Sequence, residues 1–239
     1  MSESDKTAIL VDIEGTTTDV RFVHEVLFPF AARALPDFLR AHADAPEVAS
    51  ELAAVRETID EPEASLDEVI ATLLSWIAED RKATPLKTLQ GLVWESGYRS
   101  GELTSPMYVD AVEALRRWKE EGRTLAVYSS GSEAAQKLLF GHTAAGDLTP
   151  LFSGWFDTRV GGKREAGSYT AIAERLGRAA GTILFLSDHP DEVAAAHDAG
   201  MKAIRIDRER ASDAAPSEED GQIVLGGFAR VAPDAERGV

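Results

Sequence analysis

What most constrains the fold is a change of period along the chain. Residues 7–11 are a short apolar run of strand-forming residues. Residues 20–105 carry apolar residues only at helical spacing, with no convincing strand among them. Residues 106–206 then return to short apolar runs that alternate with helical segments. Strand–helix alternation with short joins implies a parallel, doubly wound sheet. A helical span lodged between the first strand and the others implies an insertion. The expected architecture is therefore an α/β core, residues 1–19 and 106–239, with an inserted all-helical domain, residues 20–105. A length of 239 residues accommodates both, and 44% hydrophobic residues supply a sizeable core.

Local signals refine this picture. Val26, Leu27, Phe30, Ala31, Ala34, Leu35, Phe38 and Leu39 share one helical face, but Pro36 lies among them. Proline has no amide hydrogen to donate, so two short helices are expected there. Ser65-Leu66-Asp67-Glu68 has the spacing of a capping box, and Thr84-Pro85 reads as an N-cap followed by proline at the first helical position. Further core strands are expected at 124–128, 154–158, 182–186 and 202–206, the last being the final one. Residues 208–221 read as a solvated acidic loop, and those after Pro233 as a loose tail.

Composition removes several classes of function. The formal net charge is −16, which disfavours phosphate backbones and anionic membrane surfaces, so nucleic acid is excluded as the main partner. With no cysteine there is no disulfide framework, thiolate metal site or cysteine nucleophile. The opening Met1-Ser2-Glu3-Ser4-Asp5 is acidic and lacks the pattern of a secretory signal, and no apolar run is long enough to span a bilayer. A soluble, cytoplasmic protein is expected, with no membrane partner.

Each expected core strand ends in polar groups. The first ends in Asp12 and Glu14, which strand alternation points to the same side. A metal ion, a shared proton or plain solvation can each reconcile such a pair. The second ends in Ser129-Ser130-Gly131-Ser132 directly before a helix, which suits either an anion site or a simple N-cap. Gly161-Gly162-Lys163 precedes another helix, where a lone lysine is either solvated or a phosphate ligand. The fourth strand ends in Ser187-Asp188-His189, with Glu192 one helical turn on and His189 reading as a helix-start residue. Open α/β sheets bind ligands at the carboxyl ends of their strands. Together these groups offer hard oxygens suited to magnesium, with lysine and serine suited to phosphate oxygens. No nucleophilic serine elbow and no nucleotide-binding lysine loop competes.

The ordered set Asp12-x-Glu14-Gly15-Thr16, Ser129-Ser130, Lys163 and Asp188 with Glu192 resembles the four motifs of the haloacid dehalogenase superfamily of phosphotransferases. The helical insertion resembles that superfamily's cap domain. Glu14 stands where most members have aspartate, and with Gly15-Thr16-Thr17-Thr18 it resembles the enolase-phosphatase branch of methionine salvage. Leu89-Gln90-Gly91, Tyr128-Ser129-Ser130-Gly131-Ser132 and Gln136-Lys137-Leu138-Leu139-Phe140-Gly141-His142 fit the same branch. The resemblance implies a monomer acting on a small phosphorylated diketone. It implies Asp12 as nucleophile, Glu14 as general acid and base, and Lys163 as a catalytic and substrate-binding cation. Ser129 and Ser130 would bind phosphate. Asp12, Glu14 and Asp188 would hold one Mg2+ per subunit, and Glu192 would orient Asp188 or Lys163. Trp94 and Tyr98 are candidates for a methylthio pocket, with packing inside the helical domain the preferred reading. The alternative is a phosphatase or phosphomutase of the same superfamily acting on a sugar or glycolate phosphate.

Overall fold

Apolar residues of opposite parity build the two faces of the sheet. In the first strand, β1 (Ala8–Val11), all four residues are buried. Ile9, Val11 and the following Ile13 join one core cluster, while Ala8 and Leu10 join another. A strand covered on both faces is the signature of a parallel sheet sandwiched between helices. Each fully buried valine, leucine or isoleucine contributes about 1.5–3 kcal/mol, so this run alone fixes the centre of the fold. The structure, a computed structural model, describes residues 6–238. Met1-Ser2-Glu3-Ser4-Asp5, read above as lacking a secretory signal, lies outside the described residues.

The other strands are β2 (Leu125–Tyr128), β3 (Gly154–Phe156), β4 (Ile183–Ser187), β5 (Lys202–Ile206), β6 (Ser217–Glu219) and β7 (Gln222–Leu225). Their order in one sheet is β3-β2-β1-β4-β5-β7-β6, with every pair parallel except β6 and β7. Leu10 sits between Ala126 of β2 and Phe185 of β4. Helices α6 (Val109–Glu120) and α7 (Glu133–Gly141) cover one face, and α8 (Ala166–Leu176) and α9 (Pro190–Asp198) cover the other. The fold is thus the expected doubly wound α/β core.

The chain divides into two compact units, one formed by the segments up to Val20 and from Ser105 onward, the other by Arg21–Thr104. The second unit contains α2 (Phe28–His42), α3 (Pro46–Thr58), α4 (Leu66–Ala78) and α5 (Thr84–Ser100). Ahead of α2 come a short helix, α1 (Val20–Phe22), and a π-helical turn, Val23–Leu27. The capping box forms as its spacing predicts, with the Ser65 and Glu68 side chains and amides engaged reciprocally. Trp94 donates its indole N–H to the Leu27 carbonyl and stacks on Phe28, and Tyr98 is buried, so both pack within this unit. Among the described residues no helix is long and apolar enough to cross a membrane.

Four local expectations are corrected. Helix α2 runs unbroken through Pro36, because Phe30, Ala31, Leu35 and Leu39 bury one stripe on both sides of it and tertiary packing outweighs the lost hydrogen bond. Ala83, not Thr84, is the N-cap of α5, with Thr84 and Pro85 already inside the helix. The final strand is not β5, since the end of the expected acidic loop and the residues after it form β6 and β7. The tail after Pro233 is tied down: Asp234 pairs with Arg123, Lys202 donates to the Ala235 carbonyl, and the Ala232 N–H bonds Gly238 O.

Hydrogen bonds from Arg123 hold the Asp234 carboxyl down at about 2. A carboxylate whose folded pKa is depressed stabilises the fold above its unfolded value, near 3.9, and loses that contribution as pH falls through the folded value. Asp234→Asn should therefore cost about 1 kcal/mol at neutral pH, since the carboxylate is half exposed. In urea titrations the difference from wild type should persist above about pH 4 and vanish near about pH 2.

Candidate active site

The ladder that begins in β1 carries one residue further, because the Asp12 N–H donates to Leu186 O at 2.9 Å. Asp12 is thereby fixed at the carboxyl end of the central strand, between β2 and β4, where chain connections depart to opposite faces. This is the topological switch point of the sheet. The next residues close into a tight turn. The N–H groups of Thr16, Thr17 and Thr18 all point at Ile13 O, and the Gly15 N–H donates to Thr18 O at 2.8 Å. Gly15 has φ +71°, and a Cβ there would lie 2.2 Å from Asp188 Oδ2. The glycine is required on both counts: the left-handed backbone, and the carboxylate of Asp188 lying directly over it.

Lys163 is 9% exposed and its Nζ lies 2.6 Å from both Asp12 Oδ1 and Glu192 Oε2. Glu192 is held in turn by the Ser187 hydroxyl, which donates at 2.7 Å. The loop that carries Lys163 is pinned from two sides. Tyr128 donates its hydroxyl to Gly161 O, and Tyr169 donates to Lys163 O at 2.7 Å. Asp188 is anchored through its backbone, whose N–H donates to Thr16 Oγ1 at 2.9 Å.

Two carboxylates, Asp12 and Glu192, thus share one buried ammonium, with Asp188 nearby. Burial pushes the Asp12 carboxyl up to about 7, Glu192 and Asp188 reinforce this, and Lys163 opposes it. Asp188 is also raised, by burial and then by Glu192. Burial works against the charge on Lys163, but Asp12 and Glu192 outweigh it and hold the ammonium well above the usual lysine range.

The remaining predicted residues sit close by in the sheet. Ser129 is buried at the end of β2, where its Oγ accepts the Gly131 N–H, and Ser130 is exposed. Ser132 caps α7, accepting the Ala135 N–H. Glu14 is half-buried in the turn and bridges to Thr18. The structure thus bonds Lys163 to Asp12 and Glu192 and lays Asp188 over the turn, while it records no bond from Ser129 or Ser130 to that cluster. His189 caps α9 as a helix-start residue, accepting the Asp191 N–H. Sequence reasoning missed Thr16 as the acceptor for Asp188, Ser187 under Glu192, and Tyr128 and Tyr169 around Lys163. A polar residue at a strand end is a signal for Ser187 alone.

Among the described residues no group of three or more histidine, aspartate or glutamate side chains is gathered to hold a metal. Magnesium takes one or two carboxylates and fills its other positions with water and phosphate oxygens. Asp12 and Asp188 are hard donors whose pKa values are raised by burial first and by neighbouring carboxylates. A hard divalent cation would favour their ionised forms, so the donor set fits such an ion.

Comparison with known proteins gives the family and the fold. The family described as haloacid dehalogenase-like hydrolase matches residues 6–200. The chain is 57% identical over 224 residues to Enolase-phosphatase E1 of Pseudomonas aeruginosa (strain UCBPP-PA14), covering 94% of this chain and 97% of the relative. It is 54% identical to Enolase-phosphatase E1 of Azotobacter vinelandii, covering 95% and 98%. The crystal structure of UTR4 protein from Saccharomyces cerevisiae superposes with TM-score 0.79 at 33% identity, covering 94% of this chain and 99% of that one. The chain belongs to the haloacid dehalogenase-like hydrolases and, within them, to the Enolase-phosphatase E1 family.

Proposed function

We propose that this chain is a bifunctional, magnesium-dependent enolase-phosphatase of methionine salvage. It converts 2,3-diketo-5-methylthiopentyl-1-phosphate, through the enol phosphate, to 1,2-dihydroxy-3-keto-5-methylthiopentene and phosphate. The observation that carries this reading is the Asp12–Lys163 pair at the end of the central strand, with Glu14 two residues on, in a chain 57% identical to an Enolase-phosphatase E1.

Asp12 attacks phosphorus and forms an aspartyl-phosphate. Lys163, Ser129 and Ser130 bind the phosphate and the charge on its equatorial oxygens. Glu14 protonates the leaving oxygen, then takes a proton from the water that hydrolyses the acyl phosphate. Asp12, Asp188 and the residue-14 position would hold one magnesium ion per subunit. When bound, the ion offsets repulsion between the attacking carboxylate and the anionic substrate. Glu192 fixes the Lys163 ammonium. Residues 20–105 are the cap domain, and the enzyme works as a cytoplasmic monomer.

The test is a continuous ultraviolet trace with the diketone phosphate and magnesium, with free phosphate assayed in parallel. The enol signal should rise before phosphate appears. EDTA should abolish both, and excess magnesium should restore both. Phosphate release from many simple sugar or glycolate esters, with poor turnover of the diketone, would replace this reading with a general phosphatase or phosphomutase.

A further inference from the structure

Besides Arg123, the α/β unit holds another largely buried cation outside the cluster described above. Arg208 follows β5 and is 11% exposed. Its Nη1 donates to both oxygens of Asp110 at 2.9 Å, and its Nε donates to the Thr16 carbonyl at 2.9 Å. Its Nη2 donates to the same carbonyl. The guanidinium lies 4.0 Å from the ring centre of Tyr108 and 5.2 Å from that of Phe228. Asp110 is fully engaged, accepting also from the Ser212 hydroxyl and the Phe228 N–H. The chain passes this group only because residue 227 is glycine. A Cβ there would lie 2.2 Å from Asp110 Oδ2 and 2.7 Å from Arg208 Nη1.

Stability alone explains this arrangement poorly. A buried ion pair seldom outperforms well-packed apolar residues of the same volume, because desolvation cancels the attraction. What the guanidinium adds is direction: a rigid fork with one arm on a carboxylate and the other on a single backbone carbonyl. That carbonyl belongs to Thr16, whose side chain is fully buried and whose Oγ1 accepts the Asp188 N–H. The bonded path therefore runs from Asp110 through Arg208 and Thr16 to Asp188. A second anchor, the Tyr108 N–H on Thr17 O at 3.0 Å, holds the neighbouring peptide.

We propose that Arg208 is a positioning residue for the turn that follows the nucleophile, fixing the Thr16 peptide and through it the backbone of Asp188. The proposal rests on the reading of that turn as catalytic. Arg208→Lys keeps a cation beside Asp110 but cannot fork to Thr16. Thr16→Val leaves the ion pair intact and removes only the acceptor for Asp188. Each should lower kcat about 10–100-fold with KM within about threefold, as loss of an orienting partner does. The double variant should be no worse than the worse single one, because both cut the same path. Hydrogen exchange gives a readout independent of turnover. The Asp188 amide should exchange on the order of tenfold faster in both variants, while the β1 amides stay as protected as in wild type.

Wild-type kcat in Thr16→Val, additive losses in the double variant, or exchange rising equally throughout β1 would each overturn the proposal. If Arg208→Lys does not fold, Thr16→Val decides by itself. If wild type fails to turn over the diketone, the proposed function falls, and exchange at Asp188 still judges the role of Arg208.

Discussion

Asp12→Asn should remove turnover by a factor of about 10^4 or more while leaving the fold intact, the scale seen when a covalent nucleophile is deleted. Asparagine is nearly isosteric and can still accept a hydrogen bond from Lys163. Rapid-quench assays should find no phosphoenzyme, and full turnover would show that Asp12 is not the nucleophile. The same variant tests the electrostatics. Asp12 titrates at about 7 in the folded protein, above its unfolded value. Between about pH 4 and pH 7 the folded state binds more protons than the unfolded one, so this residue makes stability fall as pH rises. In urea titrations with chelator present, that slope should be visible in wild type and absent from Asp12→Asn.

Lys163→Met should cost on the order of 10^3-fold in kcat/KM, because the cation bonded to Asp12 is also the charge proposed to receive the phosphate. Methionine keeps the length of the stem but leaves Asp12 and Glu192 buried against each other near Asp188. Breaking a buried pair by removing one partner costs about 3–5 kcal/mol, less whatever the acids recover by taking up a proton. Lysine is the influence that lowers the Asp12 pKa, so its loss pushes that carboxyl further up. Any residual activity should therefore need higher pH, and its acid limb should lie above that of wild type. Unchanged kcat/KM would remove Lys163 from the mechanism.

Much of the core was legible because its signals are local. Ile9, Leu10 and Val11 followed by Asp12 announce a buried strand with a polar end, and the same pattern recurs at Ser129 and Asp188. The contacts that turn these ends into a site are not local. Asp12 and Lys163 lie 151 residues apart, and nothing in Gly161-Gly162-Lys163 shows that two tyrosines will turn the ammonium inward. Arg208 sits in a polar, acidic stretch and reads there as a solvated charge. Only the fold supplies Asp110, Tyr108 and Phe228 around it. Strand β6 escaped notice for a related reason, while the apolar run of β7 carries a local signal that was overlooked. Ser217-Glu218-Glu219 has poor strand propensity and becomes a strand only by pairing with β7. Pro36 misled in the opposite direction, because a local rule yielded to a stripe of buried side chains on α2.

The two outermost strands of the sheet, β3 and β6, are each only three residues long. An exposed edge is a template on which another chain can add a strand, and a short edge offers few open amides and carbonyls. On the β6 side the deterrent is electrical as well. Pro216 precedes the strand, Glu218 and Glu219 lie in it, paired with Arg237 and with Arg205 and Arg210, and Asp220 follows, so an approaching copy must desolvate charged groups along the edge. Colloidal behaviour should accordingly track carboxylate ionisation. The protein should remain dispersed at neutral pH, where its net charge is −16, and should self-associate as acid brings that charge toward zero.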